Sequence, residues 1–318
     1  MKKRRPKVVV VGSINMDLVL SCEHLPKPGE TLAASQCVEV SGGKGANQAV
    51  AAVRMGADVE LIGRVGNDLF GPQLLKRLQE SGVGIEQVKI CDDCGSGLAL
   101  VMVEATGQNS IVIVPGANGQ LSRADIRSVA SRIQSADMMI VQLEVPLDAI
   151  DEALSIAKEA KVKVVLNPAP ARKILPAAFY QVDIMCPNQT EAELLTGIVV
   201  DGYESARLAA AELMRRGVSQ VVITLGKDGA CLSERTESGV RFTHVSSIPV
   251  EVVDTTAAGD AFIGALATYV SESQELSIAC SKACVAGALA TMKLGAQPSL
   301  PWRAEVEEKT RAMDSNHS

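Results

Sequence analysis

The stretch Val252-Val253-Asp254-Thr255-Thr256-Ala257-Ala258-Gly259-Asp260-Ala261-Phe262 sets two acids around a run of small residues. It then enters the apolar pattern Phe262, Ile263, Leu266, Ala267, Val270. That spacing is helical, and the β-branched pair ahead of it reads as a strand end, so strand, tight turn and helix are predicted. Ala257, Ala258 and Gly259 are small enough for an anion to reach consecutive backbone N–H groups, which at a helix N-terminus are unpaired and sit in the positive end of the macrodipole. Asp260 falls in the first helical turn, beside that anion hole. Capping accounts for a lone Asp in such a turn. An acid beside a bound anion is harder to explain by packing, because like charges repel unless the carboxylate takes up a proton.

Further polar residues stand at comparable places. The buried-type strand Lys7 to Val11 runs into Gly12-Ser13-Ile14-Asn15-Met16-Asp17. Asn15 and Asp17 lie two apart, so in extended backbone they face one side, where an amide and a carboxylate suit neighbouring hydroxyls; a local Asx turn is the alternative. Ser41-Gly42-Gly43-Lys44-Gly45-Ala46-Asn47-Gln48-Ala49 opens a helix, with Lys44 and Asn47 offering donors at its start. It lacks the GxxxxGK[ST] spacing of a P-loop, and no GxGxxG fingerprint of a dinucleotide-binding domain occurs.

The elements that must position these residues alternate from Val59 onward. Strands are predicted at Val59 to Val65, Met138 to Leu143, Lys163 to Leu166, Ile184 to Cys186 and Val221 to Leu225. Helices are predicted at Leu69 to Ser81, Ser122 to Ser135, Leu147 to Ala160, Glu191 to Thr196 and Glu204 to Arg216. This is an α/β chain with a doubly wound, mainly parallel sheet. Ligands in such sheets sit beyond the carboxyl ends of the strands. Those ends carry Glu144, Asn167-Pro168-Ala169-Pro170, Pro187-Asn188-Gln189-Thr190-Glu191 and Gly226-Lys227-Asp228-Gly229, and four polar ends along one edge make a site. Leu18 to Cys22 with Thr31 to Val40, and Leu98 to Val103 with Ser110 to Val114 around a Gly107 turn, read as a small β lid. Their apolar residues occupy both faces, so one covers the site and the other meets a second copy of the lid.

Composition narrows the function classes. The 318 residues are 47% hydrophobic and carry a net charge of −6, which disfavours nucleic-acid or acidic-membrane partners. Lys2-Lys3-Arg4-Arg5, the only basic cluster, reads as a solvated tail. No apolar h-region follows it, so the expected location is the cytoplasm, with a nuclear fraction if the cluster is a localisation signal in a eukaryotic cell. Eight cysteines without a secretion signal read as reduced thiols, and Cys91-Asp92-Asp93-Cys94 is half a zinc site with no second half. With His24, His244 and His317 alone, and neither GxSxG nor HExxH, serine hydrolase and zinc protease chemistry is excluded.

Taken in order, Gly42-Gly43-Lys44-Gly45-Ala46-Asn47-Gln48-Ala49, Asn167-Pro168-Ala169-Pro170-Ala171, Pro187 to Glu193, Asp254 to Asp260 and Gly295-Ala296-Gln297-Pro298-Ser299 resemble the ribokinase-like superfamily of sugar and nucleoside kinases. The resemblance covers about residues 7 to 303. It implies a kinase domain with lid strands at about 18–40 and 95–114, between a tail at 1–6 and a C-terminal helix end and tail at 304–318. It implies Asp260 as the base for a sugar's terminal hydroxyl, and the N–H groups of Ala257, Ala258 and Gly259 as the hole for the transferred phosphoryl group. Asn15, Met16, Asp17, Gly43, Lys44, Gly45, Ala46, Asn47 and Glu144 match the sugar site. Asn188, Thr224, Leu225, Gly226, Lys227, Asp228 and Gly229, with Gly259 and Asp260, match ATP contacts. Asn188 and Glu191 stand near Mg²⁺ through water. Asp254, Thr256, Ala290, Lys293, Gly295 and Ser299 match a K⁺ site, several through main-chain carbonyls. Many members of the superfamily have glycine where Ala258 stands, so a methyl narrows the hole slightly.

The lid pieces contain no Phe, Tyr or Trp on which a nucleobase could stack, and Lys27 is their only basic residue. Asp17 and Glu144 would repel a phosphorylated sugar, which leaves a small neutral polyol. The expected activity is ATP-dependent phosphorylation of D-ribose at O5 by a homodimer. A 2-deoxyribose or other pentose kinase is the alternative within the class, and a non-catalytic sugar-binding paralogue the alternative outside it.

Overall fold

The structure is a computed structural model and describes residues 4–315 except 105, 107 and 238. Lys2, Lys3, the Gly107 turn and His317 therefore lie outside the described residues. The strands are β1 (Lys7–Val11), β2 (Asn15–Cys22), β3 (Gln36–Gly42), β4 (Asp58–Gly66), β5 (Val88–Cys91), β6 (Gly97–Glu104), β7 (Asn109–Val114), β8 (Met138–Val141), β9 (Lys163–Leu166), β10 (Ile184–Met185), β11 (Gln220–Thr224), β12 (Ala230–Thr236) and β13 (Gly239–Val245). The helices are α1 (Lys44–Arg54), α2 (Phe70–Glu80), α3 (Arg123–Ser128), α4 (Ala130–Gln134), α5 (Leu147–Ala160), α6 (Gln189–Thr196), α7 (Tyr203–Arg215), α8 (Ala258–Ser271), α9 (Leu276–Ala290), α10 (Ala296–Ser299) and α11 (Arg303–Ser315).

A nine-stranded sheet runs in the order β13-β12-β11-β10-β9-β8-β1-β4-β5, parallel except at β12 and β13. Strand β1 shows why helices must cover both faces. Val8 and Val10 join one buried cluster with α1, α8 and α9, whereas Val9 and Val11 join a second cluster on the opposite side. A fully apolar strand with period-two side chains has no face left for water. The lid is a separate sheet ordered β3-β2-β6-β7, with β2 and β6 parallel.

Several predicted bounds are corrected. Val252 and Val253 form no strand: both are exposed, and Val253 and Asp254 donate their N–H groups to the Thr291 carbonyl at the end of α9. The pair is held by a helix terminus, not by a ladder. The expected helix Ser122 to Ser135 breaks at Val129, whose backbone leaves the helical region at φ −117° and ψ 18°. The lid strand expected from Thr31 begins at Gln36. The edge hairpin β12-β13 and strand β5 were not predicted. The segment after 303 is a whole helix docked on the body, with Val306 buried and Arg303 paired to Glu272.

Helices α1 and α8 approach closely because small residues line both. A Cβ added at Gly264 would lie 2.5 Å from the Ala51 Cβ and 2.8 Å from the Ala52 nitrogen. Gly264→Ala should therefore cost about 1–3 kcal/mol through overpacking, read as a fall in Tm by scanning calorimetry. An unchanged Tm would show that the helices have room to part.

Candidate active site

The beginnings of α1 and α8 bring the reactive residues together. Asp260, 6% exposed, accepts hydrogen bonds at Oδ2 from Asn47 Nδ2 (3.0 Å) and at Oδ1 from Gln48 Nε2 (2.9 Å). Gln48 was quoted in the sequence motif without a role. A buried glutamine between Ala46, Ala49 and Val50 needs a partner, and that requirement is the signal that could have found it.

The turn before α8 has the shape expected of an anion hole. Ala257 caps the helix at φ 60° and ψ 8°, a left-handed conformation that costs a non-glycine residue about 1–2 kcal/mol. Of the turn's amides, Ala258 makes one long bond of 3.3 Å to the Thr255 carbonyl, and Ala261 closes the helix onto Ala257. The Ala257, Gly259 and Asp260 amides have no backbone acceptor among the described residues. They line a cavity of about 200 Å³ together with Lys44, Asn188, Glu191, Thr224 and Asp260. Asn167, expected at the ligand edge, lines it too, as do Cys186 and Thr255, to which sequence reasoning gave no role.

On the other side of Asp260 lie the residues predicted to hold the acceptor. The β2 register sets Asn15 opposite Gly42 and Gly97, and glycine is required there: a Cβ at Gly97 would meet Asn15 Oδ1 at 2.3 Å, and one at Gly42 would meet Asp17 Oδ2 at 2.1 Å. Asn118 donates to Asn15 Oδ1 at 2.7 Å, which leaves the Asn15 amide nitrogen as its donor. Glu144 accepts from the Ser13 hydroxyl and from the Lys44 N–H, tying the β8 end to the start of α1. Asp17 Oδ1 and Asn47 Oδ1 are buried with no hydrogen-bond partner among the described residues. Two buried acceptors left in this way suit hydroxyl donors. The Met16 side chain points the other way into the core, as do Ala46 and Leu225, so these three can serve only through backbone. Gly43 caps α1 at φ 88°, and Gly45 lies so close to Ser13 that a Cβ would sit 2.5 Å from its nitrogen.

The nucleotide residues divide. Asn188 and Thr224 are bridged in parallel at the strand ends, and Gly226, Lys227 and Asp228 form an exposed turn that Gly229 closes onto Leu225. Asn188 and Glu191 form a capping box for α6, so capping and site readings both hold. One Glu191 oxygen bonds the Asn188 N–H and the other has no protein partner among the described residues. That oxygen and the hard carboxylate chemistry fit a hydrated Mg²⁺. Asp254 binds the Thr256 N–H and hydroxyl at one oxygen and the Gly295 N–H at the other, which joins the two loops expected around K⁺. Ala290, Gly295 and Lys293 could contribute only carbonyls, since the Lys293 ammonium pairs with Glu305. The Ser299 hydroxyl bonds the Ala296 carbonyl.

The crowded charges shift Asp17, Glu191 and Lys44. Burial pushes Asp17 up to about 7, with Glu144 and Asp260 adding to it. Burial also raises Glu191, partly offset by its bond to Asn188 and by Lys44. For Lys44 burial works downward, but Asp260, Glu144 and Glu191 outweigh it and hold the ammonium above its ordinary value. Asp17 therefore binds a proton in the folded protein at pH values where the unfolded chain has released it. The stability this contributes is fully present below the ordinary value of 3.8 and is lost as pH rises to about 7. Asp17→Asn should accordingly stabilise the fold at pH 8 by of order 2 kcal/mol after discounting for partial exposure, read as a higher Tm, and leave Tm unchanged near pH 4. A Tm difference independent of pH would contradict the assignment.

Residues 5–303 match the model of the pfkB family carbohydrate kinases. The chain is 39% identical over 304 residues to the ribokinase of Haemophilus influenzae, covering 96% of this chain and 98% of that one. It is 37% identical over 295 residues to the deoxyribokinase of Salmonella typhi, covering 92% and 95%. Among solved structures it resembles Arabidopsis thaliana ribokinase complexed with ribose and ATP, with a TM-score of 0.89, 33% identity and coverage of 96% and 98%. With its sheet, its lid and its helix-tip aspartate in the arrangement described, the chain belongs to the pfkB family of carbohydrate kinases.

Proposed function

We propose that the protein transfers the γ-phosphoryl group of ATP to O5 of D-ribose, giving D-ribose 5-phosphate and ADP. The observation that carries this reading is the position of Asp260, with the orphaned acceptors Asp17 Oδ1 and Asn47 Oδ1 on one side and the free amides of the α8 turn on the other. Phosphoryl transfer proceeds through a loose transition state, so catalysis consists mainly of alignment and charge neutralisation. The Asp260 carboxylate orients the sugar's terminal hydroxyl and accepts its proton as the phosphorus–oxygen bond forms. The Ala257 and Gly259 amides and Lys44 receive the charge that develops on the transferred group, while the Ala258 amide, expected in the hole, is engaged by the Thr255 carbonyl.

Mg²⁺, held through water by Asn188 and Glu191, would neutralise phosphate charge. K⁺ between the loops joined by Asp254 would add positive potential beneath the turn. Asn15, Asp17, Asn47 and Glu144 bind the ring hydroxyls, and a site built on charge-assisted bonds rejects an analogue that lacks one. The deoxyribokinase relatives motivate one second reading, 2-deoxyribose as acceptor.

A homodimer forms through the lid. Ile111, Val112, Ile113 and Val114 are each about half exposed although consecutive residues on a strand face opposite ways, so both faces of β7 are open and apolar. All eight cysteines are free, and no helix among the described residues is long and apolar enough to cross a membrane. The proposed location is the cytoplasm, where ATP is supplied.

ADP release measured over a panel of free sugars, with K⁺ and with a large organic cation in its place, tests the reading. Ribose should exceed 2-deoxyribose at least about tenfold in kcat/KM, as expected where a buried acceptor loses its hydroxyl. Activity should fall without K⁺. Asp260→Asn should retain sugar binding and lose about 10³-fold or more in kcat. Equal use of 2-deoxyribose would favour the second reading, and ribose binding without turnover a sugar-binding protein. For the lid, the double change Val112→Asp and Ile113→Asp should give monomers by light scattering; dimers of unchanged strength would remove the lid interface.

A further inference from the structure

Behind Asp260 lies a chain of buried amides that no step above uses. Gln48 Nε2 donates to Asp260 Oδ1 at 2.9 Å and to Asn167 Oδ1 at 3.1 Å, which occupies both of its hydrogens. Asn167 Nδ2 donates to the Cys186 carbonyl at 3.0 Å, and Gln142 Nε2 donates to Gln48 Oε1 at 2.7 Å. Gln48 and Gln142 have no exposed surface. A backbone carbonyl only accepts, so Asn167 must turn its nitrogen to Cys186 and its oxygen to Gln48. Gln48 must then present its nitrogen to Asn167 and Asp260 and its oxygen to Gln142. Each amide orientation is dictated by the next, from a fixed point on the sheet outward.

Packing gives no reason for this arrangement. Gln142 stands in the apolar strand end Met138-Met139-Ile140-Val141-Gln142-Leu143, and its own Oε1 is buried with no partner among the described residues. A Cβ at Gly12 would lie 2.1 Å from that oxygen, so the chain has a glycine just past the end of β1, where the glutamine passes. A leucine or methionine would fill the space and remove that unsatisfied oxygen, but it would take from Gln48 Oε1 its donor, so the glutamine answers to Gln48 and not to the core.

We propose that Gln48, with its amide direction fixed by Asn167 and Gln142, is a positioning residue that aims a donor at Asp260 and so holds the carboxylate plane for in-line attack. The inference rests on Asp260 being the base. One carboxylate oxygen takes Gln48 and the other takes Asn47, so rotation about the Asp260 side chain breaks one bond or the other. The charged groups facing Asp260 are Asp17 on β2, Lys44 on α1 and Glu191 on α6, with Glu144 beyond β8 facing Asp17 and Lys44. Lys44 is their single cation, and the two amides supply the remaining donors.

The test uses the full chain and compares Gln48→Met, Gln142→Met and Asp260→Asn. Rates are followed across pH, and ribose Kd is measured by calorimetry without nucleotide. Gln48→Met should lower kcat about tenfold to a hundredfold, the cost of a misplaced reacting group, with ribose Kd within about threefold. Its rate should fall off at a higher pH on the acid side, because a donor that favours the charged carboxylate is gone. Gln142→Met should act in the same direction to a smaller degree, and it decides the question if Gln48→Met does not fold. A role in packing alone would lower Tm and leave the acid side of the profile in place. That result, or parental kcat in either folded variant, overturns the inference. Turnover retained by Asp260→Asn would instead overturn the assignment of the base.

Discussion

A nearly buried carboxylate must be met by donors or it cannot stay charged, and in this protein that requirement falls on the contact between α1 and α8. The contact is a ladder with a step of four residues. Gly264 rests on Ala51 and Ala52, and one turn earlier Asp260 meets Asn47 and Gln48. Residues four apart share a helix face, so the same crossing that removes a side chain at Gly264 sets the reach of both amides to Asp260. Both helices also begin at this point: Glu144 and Ser13 take the first amides of α1, and the open amides of the α8 turn stand where negative charge has to be accepted. The small-residue seam between them is thus part of the active site, although none of its alanines touches a substrate.

The sheet supplies the rest by geometry. Parallel strands end along one edge, and β1, β8, β9, β10 and β11 deliver Ser13, Glu144, Asn167, Asn188 and Thr224 there. The lid strand β2 leaves the same edge and brings Asn15 and Asp17 across from Asp260. The pocket is then acidic on the sugar side and rich in N–H donors on the phosphate side. That polarity suits a neutral polyol meeting an anionic nucleotide, and it disfavours an acceptor already carrying phosphate. Burial holds Asp17 near neutrality in its titration, so the free pocket relieves part of its own repulsion by taking a proton.

Much of this was legible in the sequence because the chemistry lies in short local runs. Strand ends followed by Asn, Glu or Gly-Lys marked the ligand edge, and Asn15 with Asp17 fell on one face as the period of two requires. Composition likewise pointed to a lid without aromatic platforms. What escaped was long-range. Val252 and Val253 resemble a strand end, but the carbonyl that fixes them belongs to Thr291, nearly forty residues on. Met16 sits between two site residues and therefore faces the core. Gln48 and Gln142 are 94 residues apart, and only the assembled fold makes them partners. Each was nonetheless conspicuous as a polar residue within an apolar run, a mismatch that asks for a distant partner.

The most direct measurement is a crystal structure with ribose, ADP and aluminium fluoride, a mimic of the phosphoryl group in flight. The account predicts the fluoride group hydrogen-bonded to the Ala257 and Gly259 amides, in line between ADP and the sugar's terminal oxygen. That oxygen should lie about 3 Å from the Asp260 carboxylate. Sugar bound with its terminal oxygen beyond hydrogen-bonding reach of Asp260, or the mimic seated away from the α8 turn, would contradict it.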